Sequence, residues 1–188
     1  RPRHGDDGAD GRWRPLVRGW CEPVDVPGRR RVGDRLPADC LLGELNSAFT
    51  YMNHELARER LAIALRAAAS TEGMLEQTKA YTRDRKVFGK RVIDYQNSRF
   101  ALADAKARLT MLRVFLDDCV ANLMEGNLDP VVAAMAKLNA TEMQGQILDE
   151  LLQLHGGYGY SAEYGIGRAW SDARALRIFG GTSEIMRE

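Results

Sequence analysis

Gln153-Leu154-His155-Gly156-Gly157-Tyr158-Gly159-Tyr160 and, further on, Phe179-Gly180-Gly181-Thr182-Ser183-Glu184 are two glycine-rich breaks, each closing a segment with helical periodicity. Glycine is costly inside a helix and useful where the backbone must take positive φ or approach something closely. Such breaks predict helix ends, either as simple left-handed caps or as walls around a ligand. The chain between and before them is therefore expected to be helical throughout.

Upstream patterns support that expectation. Leu56, Ile63, Ala67, Met74, Thr78 and Tyr81 fall at gaps of seven, four, seven, four and three, one stripe of a long amphipathic helix. Arg83 to Val92 is charged, contains Gly89 and reads as a connector. A second helix is expected from an Asp94 N-cap, with the stripe Leu102, Leu109, Leu112, Leu116, Cys119 and Leu123. Gly126-Asn127 ends it, and Asp129-Pro130 opens a third helix with a cap and a first-turn proline. That helix is expected to bury Val131, Met135, Leu138, Leu148 and Leu151 or Leu152, and to stop at Gly156. A shorter helix is expected from Glu163 to Ile178, and another from Thr182. Branched residues do not alternate after residue 45, so no strand is expected there. Long helices with short connections pack antiparallel, giving an all-α, up-and-down four-helix bundle over residues 39–188.

Residues 1–38 differ. They are rich in Arg, Gly, Asp and Pro, lack apolar periodicity and read as an irregular, solvated arm, either foreign to the bundle or a stub of a preceding domain. Arg29-Arg30-Arg31 lies within it. The whole chain of 188 residues is 45% apolar and 28% charged, enough for a core. A net charge of +1 with mixed signs gives no electrostatic case for nucleic acid. No apolar run approaches the ~20 residues that span a bilayer. Cys21, Cys40 and Cys119 are isolated, which argues for a reducing compartment, read as cytoplasmic. The start, Arg-Pro-Arg-His, is not an initiator methionine, so either a longer parent chain or a processed one is expected.

No metal site is expected. His54-Glu55 begins a zinc-protease pattern, but its second histidine position is Arg58. Glu59 stands three residues after Leu56 and four before Ile63, on the face of the apolar stripe. A carboxyl in apolar surroundings resists ionising, and so can serve as a base near neutral pH. Pairing with an arginine on a neighbouring helix, or reaching to solvent, would account for the position equally. Thr182 can simply cap a helix, whose free N–H groups also suit phosphate or ribose oxygens.

Taken together, Glu59-Arg60-Leu61, Arg85-Lys86-Val87-Phe88-Gly89-Lys90 with Gln96, the His155-Gly156-Gly157 strip and Phe179-Gly180-Gly181-Thr182-Ser183-Glu184 resemble, in order and spacing, the C-terminal helical domain of the acyl-CoA dehydrogenases. The resemblance runs from about Asp34 to the end. It implies an FAD enzyme that converts an acyl-CoA thioester to trans-2-enoyl-CoA. A glutamate removes the α-proton and the β-hydrogen leaves as hydride to flavin N5. Most members carry that glutamate just before a Gly-Thr near the C-terminus, where this chain has Gly180. The isovaleryl- and long-chain-like subgroup carries it in a Glu-Arg-Leu on the first long helix, which Glu59-Arg60-Leu61 matches. The resemblance thus implies Glu59 as base, and Arg60, Gly180 and Gly181 as substrate contacts. It implies Thr182, Ser183 and Glu184 as flavin contacts. Arg85, Gln96, Gln153, Leu154, His155, Gly156 and Gly157 are implied as flavin contacts reaching from a neighbouring subunit. It further implies a homo-oligomer, dimer or tetramer, or a partner chain supplying missing domains, with electron-transfer flavoprotein or a similar acceptor. A non-catalytic assembly module and an acyl-CoA oxidase-like enzyme are the alternatives.

Overall fold

Alternating gaps of three and four residues organise the helices of the computed structural model, which describes residues 43, 44 and 46–188. The arm, residues 1–38, lies outside the described residues. Helix α1 (Ala48–Asp84) buries Leu61, Ala64, Ala68, Thr71, Leu75, Thr78 and Thr82. Helix α2 (Gln96–Met124) buries Ser98, Leu102, Ala105, Leu109, Leu112, Leu116 and Cys119. This 3-4 alternation is the seam geometry of helices that pack nearly along one another. The leucine stripe expected for α2 is the one observed. The seam of α1 lies beside the expected stripe: Ala67 and Thr78 are buried, while Ile63 and Met74 pack at its margin.

Helix α3 (Pro130–His155) is central and meets α1, α2 and α4 (Gly165–Leu176). Asp129 caps it by accepting a hydrogen bond from Val131 N–H at 2.7 Å, and Gly156 ends it at φ 57°. Both were legible from sequence. The expected face holds in the second half of α3, where Leu148 and Leu151 are buried, and fails in the first. Val131 and Met135 are 66% and 47% exposed, whereas Ala133, Ala136, Lys137 and Ala140 are fully buried. Small residues on α3 oppose the alanines and threonines of α1, so the two backbones approach closely and the large side chains turn outward. Tyr81 near the end of α1 donates to the His155 carbonyl at the end of α3, while Arg60 and Lys137, in their first halves, meet the same turn. Helices α1 and α3 therefore run parallel. Arg113–Glu72 and Arg108–Glu150 ion pairs tie the antiparallel α2 to each. Among the described residues the bundle runs up, down, up, with α4 following.

Three local expectations are corrected. The connector after α1 contains a two-residue hairpin, β1 (Lys86–Val87) and β2 (Lys90–Arg91), with Lys86 opposite Arg91. Phe88 and Gly89 both take positive φ, 49° and 81°, the turn that matches strand twist; two residues per strand are too few to show any alternation. Asp94 is not the cap of α2. Its carboxylate accepts from the Arg91 backbone N–H and guanidinium, closing the hairpin, and Tyr95 takes the cap position. No helix forms from Thr182. The segment makes a single turn, Met186 N–H to the Thr182 carbonyl, because so few residues cannot offset the cost of helix nucleation. Helix α4 also starts at Gly165 and ends at Leu176, inside its expected bounds.

Candidate active site

The residues singled out from sequence gather at two places. The first is the Gly180–Gly181 turn. Its glycines take φ 63° and 109°, left-handed values that side chains disfavour. A Cβ on Gly180 would lie 2.7 Å from Ile63 Cδ1, so α1 closes directly on the turn. The Arg60 Nε donates to the Gly180 carbonyl at 3.4 Å, and the Lys137 Nζ donates to the Gly181 carbonyl at 2.6 Å. Just beyond, Ser183 is buried and donates to Glu142 at 2.6 Å, and Arg177 donates to the same carboxylate oxygen from Nε and Nη2. Burial alone would raise the Glu142 pKa. The hydrogen bonds from Ser183 and Arg177 outweigh it and hold the carboxyl below its usual range. The exposed Glu184 is likewise lowered, by its own backbone N–H and by Thr182.

Glu59 is exposed in this chain, not enclosed by apolar neighbours as its spacing predicts. The seam of α1 faces the other way. At about 100° per residue, Glu59 lies some 40° around the helix from Ile63, one turn before the residue that packs on Gly180. Glu59 thus stands on the solvent side of α1, one turn before the residue that meets the glycine turn.

The second place is a groove of about 700 Å³ at the far end of the bundle. It is lined by Arg85, Phe88 and Tyr95 on one side, and by Gln153, Leu154, His155, Gly156, Gly157 and Tyr158 on the other. Gln96 starts α2 beside Tyr95, is exposed and does not line the groove. Tyr81 stacks on His155 at 4.2 Å, Tyr164 stands edge-on to both, and Tyr158 stacks on Tyr164. The Arg85 guanidinium lies 4.7 Å from the centre of the Tyr158 ring. Burial lowers the His155 pKa, partly offset by its hydrogen bond to the Leu151 carbonyl. A Cβ added at Gly156 or Gly157 would meet nothing within 4 Å, so this backbone is open to a ligand. Twenty-one residues of α1 separate Arg60 from Tyr81, about 30 Å along the axis. The two places therefore lie towards opposite ends of the α1–α3 pair.

A profile of the acyl-CoA dehydrogenase C-terminal domain matches residues 46–188. The chain belongs to the acyl-CoA dehydrogenase family. Over 154 residues it is 45% identical to the mitochondrial long-chain specific acyl-CoA dehydrogenase of Sus scrofa, covering 82% of this chain and 36% of that protein. It is 32% identical over 151 residues to the short-chain specific acyl-CoA dehydrogenase of Megasphaera elsdenii, covering 80% and 39%. The crystal structure of an acyl-CoA dehydrogenase from Geobacillus kaustophilus superposes with a TM-score of 0.79 at 39% identity, over 81% of this chain and 40% of that one. The chain thus spans well under half the length of the relatives it matches.

Sequence reasoning missed Lys137, Glu142 and Arg177, which fasten the family's C-terminal turn to α3 and α4. One signal was available. Lys137 keeps the register of Ala133, Ala136 and Ala140, so a lysine was sitting on a core face. Among the described residues no three His, Cys, Asp or Glu side chains gather as metal ligands, and no helix is long and apolar enough to cross a membrane.

Proposed function

We propose that this chain is the C-terminal helical domain of an FAD-dependent acyl-CoA dehydrogenase that oxidises an acyl-CoA thioester to its trans-2-enoyl form. The observation that carries this is the closure of α1 on Gly180. Ile63 occupies the space a side chain at 180 would need, and Glu59 stands one helical turn away. Position 180 carries no base, and α1, which closes on it through Ile63, carries Glu59 one turn earlier.

In this reading Glu59 takes the α-proton, the electrons of that C–H bond form the double bond, and the β-hydrogen departs with its own electron pair. FAD, when bound, supplies the acceptor for that pair. Enclosure of Glu59 by the thioester and by the remaining domains would desolvate its carboxylate and strengthen it as a base. Arg60 braces the Gly180 carbonyl from within. Gly180 and Gly181 offer backbone without side chains to the thioester, with Thr182, Ser183 and Glu184 following toward the flavin.

The groove residues fit one end of a dinucleotide. Arg85 offers a planar fork for phosphate oxygens, and Gly156 and Gly157 offer open backbone. Gln96 stands outside the groove's lining, and its proposed flavin contact rests on the family resemblance alone. Because this groove lies about 30 Å from Glu59 along the bundle, the flavin it touches belongs to a neighbouring copy. That supports a homo-oligomer, dimer or tetramer, in which each site takes residues from two chains. The other walls come, by family resemblance, from an N-terminal helical domain and a middle β-domain, in the same polypeptide or a partner. Electron-transfer flavoprotein or a similar protein is the proposed acceptor, and the cytoplasm, a reducing compartment, the proposed location.

The test is Glu59→Gln in the assembled enzyme. The variant should retain FAD and lose reduction of it by acyl-CoA. Near-normal flavin reduction by the variant would remove Glu59 from the role of base.

A further inference from the structure

Lys137 is fully buried on α3. Burial pulls its pKa below lysine's ordinary value. Arg60 and Arg177 push the same way, and Glu142 and Glu184 oppose them. Taking an ammonium out of water costs several kcal/mol unless hydrogen bonds compensate. Among the described residues Lys137 has no carboxylate within ion-pair distance. Its one hydrogen bond runs to the Gly181 carbonyl, at 2.6 Å. A methionine would fill the same space without the desolvation cost. Packing therefore does not account for the charge.

Geometry does. Arg60 holds the Gly180 carbonyl and Lys137 holds the next one, so two cations from two helices fix two consecutive peptide planes. Both peptides are trans, which directs each N–H opposite its carbonyl. The Gly181 N–H therefore points away from the Arg60 donor and the Thr182 N–H away from the Lys137 donor, and among the described residues neither meets an acceptor. Glycine at 180 and 181 leaves the turn no side chain with which to fix itself.

We infer that Lys137 is a positioning residue for the acyl-thioester site: from inside α3 it holds the Gly181–Thr182 peptide so that the free N–H groups of the turn face the bound thioester. The inference rests on the reading of this turn as the thioester wall. Donors fixed before the reaction act on developing charge without reorganising, and a loosened peptide forfeits that advantage.

Lys137→Met, studied in the complete enzyme with FAD bound, tests this. Methionine keeps the stem and removes the charge. The variant should unfold at the same temperature as wild type or higher and keep its FAD. Amide exchange at residues 180–183 should quicken. The kcat should fall by about 10²-fold, the loss expected when reacting groups are misplaced by about 1 Å, with KM changed far less. Wild-type kcat should also decline at alkaline pH as Lys137 loses its proton, a limb the variant lacks. Should methionine unsettle the seam, Lys137→Gln keeps a shorter donor and carries the same kcat and exchange readouts. Unchanged kcat with unchanged exchange would overturn the inference. So would activity lost only in step with thermal stability. If the wild type oxidises no acyl-CoA thioester, the functional reading itself has failed; if it does and the variant keeps its kcat, only the role of Lys137 has.

Discussion

Gly180→Ala has a sign that separates a closed left-handed turn from an open one. At an unconstrained position, replacing glycine by alanine stabilises by about 0.4–1 kcal/mol, because the unfolded chain loses freedom. Two terms oppose this at Gly180. Its φ of 63° lies in the left-handed region, which costs a residue with a Cβ about 1–2 kcal/mol. The new methyl would also stand 2.7 Å from Ile63 Cδ1. Overpacking costs about 1–3 kcal/mol, and the flexible end of an isoleucine keeps it near the low end. The net is a destabilisation of about 1–2 kcal/mol. Ile63→Val removes the obstructing carbon at a cost of about 0.5–1.5 kcal/mol by itself. In the double variant the steric term disappears, so Gly180→Ala should then cost about 1 kcal/mol less, and the two substitutions should not add. Urea unfolding of the three variants measures the cycle. The C-terminal segment can open before the bundle does, so amide exchange over residues 178–186 is measured alongside. A neutral or stabilising Gly180→Ala in both assays would refute the closure of α1 on this turn, and with it the vacancy assigned to a carboxylate from α1.

Two further outcomes follow from the charged groups. The pKa of Glu142 is depressed in the folded protein, so its contribution is present above the unfolded value, near 4.5, and is lost as pH falls through the lower folded value. Exchange protection of residues 177–187 should therefore fall in that acid window, and Glu142→Gln should weaken protection at pH 7 while removing the acid step; an unchanged pH profile would detach Glu142 from the turn. Arg85→Ala removes a cation–aromatic contact with Tyr158 worth about 0.5–1 kcal/mol at an exposed site. Bundle stability should change little, while the FAD content of the assembled enzyme falls and KM for acyl-CoA holds; unchanged FAD content would count against the groove as a flavin contact.

What could be read from sequence tracks side-chain size. Leu102, Leu109, Leu112 and Leu116 announce the face of α2 because burying each removes a large apolar surface from water. The α1–α3 seam has no such marker. Ala64, Ala68, Ala133, Ala136 and Ala140 contribute little transfer energy each, so a hydrophobicity pattern favours Val131 and Met135 instead, and both face outward. What the alanines supply is proximity. Only a seam this thin lets a side chain from inside α3 reach the Gly181 carbonyl while Arg60 reaches Gly180 from α1. The motifs located the turn and the groove separately. Their separation along parallel helices, on which the proposed second copy rests, depends on which helices approach most closely, which no single segment encodes. Glu59 is the same lesson in reverse. Its spacing puts it on the face of Ile63, but Ile63 packs only at the margin of the seam, where it meets the C-terminal turn. The carboxylate is therefore exposed in this chain, and the role proposed for it requires a thioester and further domains to cover it.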